Sequence, residues 1–133
     1  MDSTEFFYGQ DQLTVQLAIA LAQKKLKGSL SPQTKDRIRE NQRYVQAMAD
    51  TGKTVYGITT GFGILANTRI SAEDTATLQY KILQSHSVGV GEAVPEEIAR
   101  LMLLTKVHSL AQGYSGVQLS TLERILWHLE ADV

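Results

Sequence analysis

Three glycines fall within seven residues, at Gly57, Gly61 and Gly63, and this run constrains the fold more than any other feature of the chain. Glycine reaches positive φ at no steric cost and lets backbone approach a ligand closely. Repeated at this density it rules out a regular strand or helix over 53–70. Apolar residues at helical spacing stand on both sides of the break. The chain therefore has to be built from helices joined by glycine-bearing loops, and such loops inside a compact helical domain tend to carry function.

The helices can be placed from their periodicity and end signals. Leu13, Leu17, Ala20 and Leu21 predict a helix from about Thr14 to Leu26, with Gly28 just past its end. Ser31 and Pro32 open the next, a capping hydroxyl followed by a residue whose missing N–H costs nothing. Ile38, Val45 and Met48 mark its buried face, Arg37, Arg39, Glu40 and Arg43 make it a surface helix, and Gly52 closes it. Ser71-Ala72-Glu73-Asp74 has the form of a capping box, opening a helix with Leu78, Ile82 and His86 along one face. Val88 to Val94 is a second break, with Gly89 and Gly91. Pro95, Glu96 and Glu97 open a helix that Gly113 ends, with a broad face of Ile98, Leu101, Met102, Thr105 and His108. Ser120 caps a last helix carrying Leu122, Ile125, Leu126 and Leu129. No internal repeat or low-complexity stretch interrupts this order. The expectation is a mainly α fold, one domain over 1–133 with no second.

Composition removes several function classes. Hydrophobic residues make up 43% and charged residues 20%, ordinary values for a soluble globular protein. Thirteen basic and 14 acidic residues leave a net charge of −1, so no electrostatic case exists for nucleic acid or an anionic membrane as partner. Lys24, Lys25 and Lys27, the one basic cluster, read as a solvated helix end. The chain has no cysteine, which excludes disulfides and thiolate metal sites and suits a reducing compartment. Residues 1–12 lack the basic start and apolar run of a signal peptide, and Val15–Ala22 is too short to cross a bilayer. A cytoplasmic location is expected.

Two segments could carry chemistry. In Val55-Tyr56-Gly57-Ile58-Thr59-Thr60-Gly61-Phe62-Gly63, Tyr56 is the one strongly titratable group. No Gly-Lys-Ser/Thr is present, which argues against a phosphate loop. The residues alone leave open a close approach to a ligand or a tight loop in which Tyr56 and Phe62 pack. The second segment, Gln84-Ser85-His86-Ser87-Val88-Gly89-Val90-Gly91, holds a histidine near a helix end. By itself that reads as a structural hydrogen-bonding residue. His86, His108 and His128 lack the short spacing of zinc ligands, and no metal is expected.

Together these segments resemble the aromatic amino-acid ammonia-lyase family. The resemblance rests on Tyr-Gly-Ile-Thr-Thr-Gly-Phe-Gly at 56–63, Ala-Asn-Thr-Arg-Ile at 66–70, Leu-Gln at 78–79 and Ser-His at 85–86. Gly89-Val90-Gly91-Glu92 and Leu110-Ala111-Gln112-Gly113-Tyr114-Ser115-Gly116-Val117 continue it in order, from roughly Leu13 to the end. It implies the N-terminal part of the mainly α ammonia-lyase (fumarase/aspartase-like) architecture, with glycine-rich active-site loops and a homotetrameric assembly. It also implies a carbon–nitrogen lyase acting through a methylidene-imidazolone (MIO), which cyclises from Ala-Ser-Gly. By the same resemblance Tyr56 matches the catalytic base, His86 the substrate-side histidine with Ser85 beside it, and Gly63 a glycine next to the cofactor.

The residue types suit these roles. A tyrosine titrates near about 10, so a base at neutral pH needs its phenolate favoured by roughly 4 kcal/mol for a shift of about 3 units. Backbone N–H dipoles of a glycine-rich loop can supply part of that. A ring that donates or accepts suits an imidazole substrate. Ser85-His86 resembles the histidine-using branch, implying deamination of L-histidine to urocanate; phenylalanine-using relatives typically place an apolar pair there. Some tyrosine-using ones also carry Ser-His, and Thr59 resembles the plant phenylalanine-using pattern, so tyrosine or phenylalanine is the alternative substrate. A helical interaction module without chemistry is the competing class. Ala, Ser and Gly never occur consecutively in the chain; the family's tripeptide is expected a few residues after Val133. MIO is thus not encoded here, and the 133 residues alone are expected to be inactive.

Overall fold

The computed structural model describes residues 5–51, 55, 58 and 72–131. Their elements are β1 (Glu5–Phe7), α1 (Val15–Ala22), β2 (Lys27–Ser29), α2 (Pro32–Asp50), α3 (Ala72–His86), α4 (Glu96–Ala111) and α5 (Leu119–Ala131). The fold is mainly α, as expected. The chain divides into two compact units, Met1–Tyr44 with Val94–Val133, and Val45–Ala93.

The first unit opens with a small β-α-β turn that periodicity does not reveal. β1 and β2 pair in parallel, Glu5 with Lys27, Phe6 with Gly28 and Phe7 with Ser29. Parallel strands need a crossover, and α1 supplies it. The Tyr8 N–H extends the ladder to the Ser29 carbonyl over 2.9 Å. α1 stops at Ala22 rather than near Leu26, because Lys24 takes the left-handed conformation (φ 57) that ends a helix. The Lys25 and Leu26 N–H groups then fold back on the Ala20 carbonyl at 2.9 and 3.3 Å. Gly28 is therefore a strand residue, not a helix terminator. The Tyr8 ring lies over it, and a Cβ there would sit 2.4 Å from Tyr8 Cε2.

α2 begins where the sequence places it. Ser31 Oγ accepts the Thr34 N–H at 3.1 Å and donates to Thr34 Oγ1 at 3.2 Å. Phe6, Tyr8, Leu21, Ala22, Leu30, Ile38, Leu104, Val107, Ala111, Leu122 and Leu129 form the core. Ile38, 1% exposed, contributes about 1.5–3 kcal/mol by burial. α4 packs against α1 and α5 through Leu104, Val107 and Ala111. Of the expected face, Leu101 packs partly buried on the core, whereas Ile98 and Met102 are exposed. Apolar residues occur around much of α4, so the sequence offers two faces and packing selects one. α5 starts at Leu119, which packs partly buried on the core; Ser120 is then a first-turn residue and not the cap.

His108 ties the end of β1 to α4. Its Nδ1 accepts the Gly9 N–H at 3.3 Å, and the Gln112 side-chain amide lies 3.4 Å from Nε2. An accepting Nδ1 requires the neutral ring, and burial pulls the His108 pKa below its ordinary value against the opposing pull of Asp11. A depressed pKa means that the unfolded chain binds the proton more tightly. Stability is then complete above about pH 6.5 and falls as pH drops through the folded value. Urea unfolding across this range should show the loss, and His108→Gln should flatten it; an identical slope in both would contradict the assignment.

In the second unit, Leu78 and Ile82 are half-buried on α3, whereas His86 is exposed. The ends expected at Gly52 and Ser71 lie outside the described residues.

Candidate active site

Ser85 and His86 form the last turn of α3. The Ile82 carbonyl lies four residues before the end of α3. Both side chains turn to it. Ser85 Oγ donates to Ile82 O at 3.1 Å, and His86 Nδ1 lies 3.1 Å from the same oxygen. Ser85 Oγ and His86 Nδ1 are 2.9 Å apart. A carbonyl can only accept, so this network assigns the proton to Nδ1. The neutral ring then offers Nε2 as an acceptor, and the protonated ring offers it as a donor. Both residues are exposed. The Ser87 N–H reaches the Leu83 carbonyl at 2.9 Å, and beyond it Gly91 turns with φ +99.

Tyr56 and Gly63 lie outside the described residues. Of their loop, the Ile58 N–H donates to the Val55 carbonyl at 3.1 Å. Tyr8, in the first unit, moves the wrong way for a base. Burial pushes it up to about 12, with the Arg100 guanidinium pulling down and Glu130 pushing up. It borders a cavity of about 280 Å³ in the first unit, with Leu21, Arg100, Leu104, Leu126 and Leu129. None of the residues assigned from sequence lines it.

The other matching segment, Leu110 to Val117, joins α4 to α5. Gly113 and Gly116 both take positive φ, +79 and +64. Arg37 Nη2 donates to the Ala111 carbonyl at 2.8 Å and the Gly9 carbonyl at 2.9 Å. Asn41 Oδ1 accepts the Gly116 N–H at 2.7 Å. Sequence reading missed both side chains as functional candidates. Their partners are backbone groups, which leave no mark in residue identity.

Among the described residues no group of three or more histidine, cysteine or carboxylate side chains gathers as a metal site. None of their helices is long and apolar enough to cross a membrane. The tripeptide Ala-Ser-Gly does not occur in the 133 residues.

Comparison with known proteins extends the local geometry. The profile of the family described as aromatic amino acid lyase matches residues 13–133. Histidine ammonia-lyase of Vibrio cholerae is 46% identical over 98 residues, covering 74% of this chain and 19% of that protein. The enzyme of the same name from Caldanaerobacter subterraneus is 39% identical over 123 residues, covering 92% and 24%. Among solved structures, histidine ammonia-lyase from Trypanosoma cruzi superposes with a TM-score of 0.81 at 32% identity, over 96% of this chain and 25% of that one. Tyrosine aminomutase from Streptomyces globisporus gives 0.84 at 25% identity, over 92% and 23%. The chain thus spans about a quarter or less of the length of these relatives. It belongs to the aromatic amino acid lyase family.

Proposed function

We propose that these residues are the N-terminal part of a histidine ammonia-lyase, a cytoplasmic enzyme that removes ammonia from L-histidine to leave urocanate. The observation that carries this reading is the likeness to histidine ammonia-lyases at 46% and 39% identity, taken with the polar Ser85-His86 pair at the end of α3. Tyr56 is the base that takes the β-proton, and Gly63 lies near the electrophile. MIO, where the complete enzyme forms it from residues outside this chain, supplies the electrophilic centre. What the chain itself contributes is a proton acceptor and an imidazole contact. The exposed apolar residues Tyr80, Leu83, Val88 and Val90 suit the subunit contacts of a homotetramer.

A second reading keeps the scaffold and changes the substrate to tyrosine or phenylalanine. The likeness to a tyrosine aminomutase favours it. The two separate on Ser85 and His86. In a full-length enzyme bearing these residues at its N-terminus, Ser85→Ala with His86→Leu should lower kcat/KM for histidine relative to phenylalanine. Loss of a polar partner in a pocket costs roughly 1–3 kcal/mol, about tenfold to a hundredfold. An unchanged ratio would remove these positions from specificity.

A further inference from the structure

Arg37 and Asn41 stand four residues apart on α2 and so share one face of it. Both reach the connection between α4 and α5. Arg37 holds the Ala111 carbonyl, one of the last on α4 without an intrahelical partner. Asn41 holds the Gly116 N–H, three residues before α5 begins. Gly113 lies against the Arg37 stem, where a Cβ would be 2.8 Å from Arg37 Cγ. The connection is therefore gripped at both ends from one helix, and its two glycines accept the backbone conformation that the grip imposes.

We propose that Arg37 and Asn41 are positioning residues, which set the direction of α5 from α2 and thereby fix where α5 delivers the chain that follows. The proposal rests on the reading above, because only in an ammonia-lyase is the electrophile's tripeptide expected just beyond α5. The geometry makes direction matter. α5 has 13 residues and is about 20 Å long at about 1.5 Å per residue. A pivot of roughly 10° at its start moves the far end by about 3 Å, and a misplacement of about 1 Å can cost on the order of 10²-fold in rate. Leu122 and Leu129 bury one side of α5 and the grip on Gly116 fixes its entry. The Lys35–Glu123 ion pair also links α2 to α5 at 2.9 Å, but both side chains are more than a third exposed, and such pairs add little.

The chain has no cysteine, so Arg39→Cys and Ala131→Cys, both at exposed positions, can be spin-labelled selectively. Pulsed electron–electron resonance on the 133-residue chain should give one narrow distance distribution. Asn41→Ala should shift or broaden it by about 3 Å or more. Asn41→Asp, which keeps an accepting oxygen, should restore it, and Glu123→Ala should leave it unchanged. Should Asn41→Ala fail to fold, Asn41→Gln, which displaces the oxygen by one methylene, is read the same way. In the full-length enzyme Asn41→Ala should lower kcat at least tenfold with KM for histidine little changed, and Asn41→Asp should recover kcat. An unchanged distance distribution in Asn41→Ala overturns the proposal, as does a changed distribution with unaltered kcat. A wild-type full-length protein that does not deaminate histidine would instead sink the functional reading, and the distance measurement would still decide whether the grip directs α5.

Discussion

Tyr56→Phe in the full-length enzyme is expected to lower kcat by roughly 10²–10⁴-fold, the usual contribution of positioned proton transfer. Phenylalanine keeps the ring and its packing and removes only the hydroxyl. If Tyr56 served structure alone, the cost would be one hydrogen bond, about 1 kcal/mol of stability, and little rate. The two roles are therefore separated by orders of magnitude in one observable. The MIO absorbance in the ultraviolet is the control, because in the proposed full-length enzyme the tripeptide would lie outside these residues. Normal absorbance with lost turnover supports the base; normal absorbance with near-normal kcat refutes it.

The largest effect on stability should come from Gly9→Ala. Gly9 has φ +77, and a Cβ on it would lie 2.4 Å from the Ala111 carbonyl oxygen and 2.6 Å from the carbonyl carbon. These are backbone atoms at the end of α4, and no rotamer change moves them. Left-handed backbone costs an alanine roughly 1–2 kcal/mol, and overpacking adds about 1–3 kcal/mol. The clash also pushes apart the groups that Arg37 and His108 join, since Gly9 donates to His108 Nδ1 and accepts from Arg37. A loss of at least about 3 kcal/mol is expected in urea unfolding of the chain. Gly91→Ala is the comparison. Its φ is +99 but no atom lies within 4 Å of its Cβ position, so it should lose only the strain. Equal losses in the two variants would show that the contact with Ala111 is not the cause.

The helices were legible because their signals are local. Ser31 and Pro32 open α2, and Leu122 and Leu129 face the core, as their spacing says. What escaped depends on partners distant in sequence. β1 and β2 are three residues each, too short for a period of two to register. Gly28 looks like a helix stop until the Tyr8 ring is placed over it. The buried face of α4 was ambiguous because apolar residues surround much of the helix, and contact with α1 and α5 decides which are covered. Ser85 and His86 are singled out by motif resemblance alone, and the structure adds that both side chains meet the Ile82 carbonyl. The roles of Arg37 and Asn41 were invisible, since a polar residue on a surface helix gives no hint that it holds a backbone group.

On the proposed reading, this chain carries a base and an imidazole contact and would depend on an electrophile outside its 133 residues. The decisive measurement is urocanate absorbance on adding histidine to the purified 133-residue chain and, in parallel, to a full-length enzyme bearing it. Steady urocanate formation is expected from the full-length enzyme and none from the chain alone. Turnover by the 133 residues alone would contradict that reading, and so would a full-length enzyme that forms MIO yet leaves histidine intact.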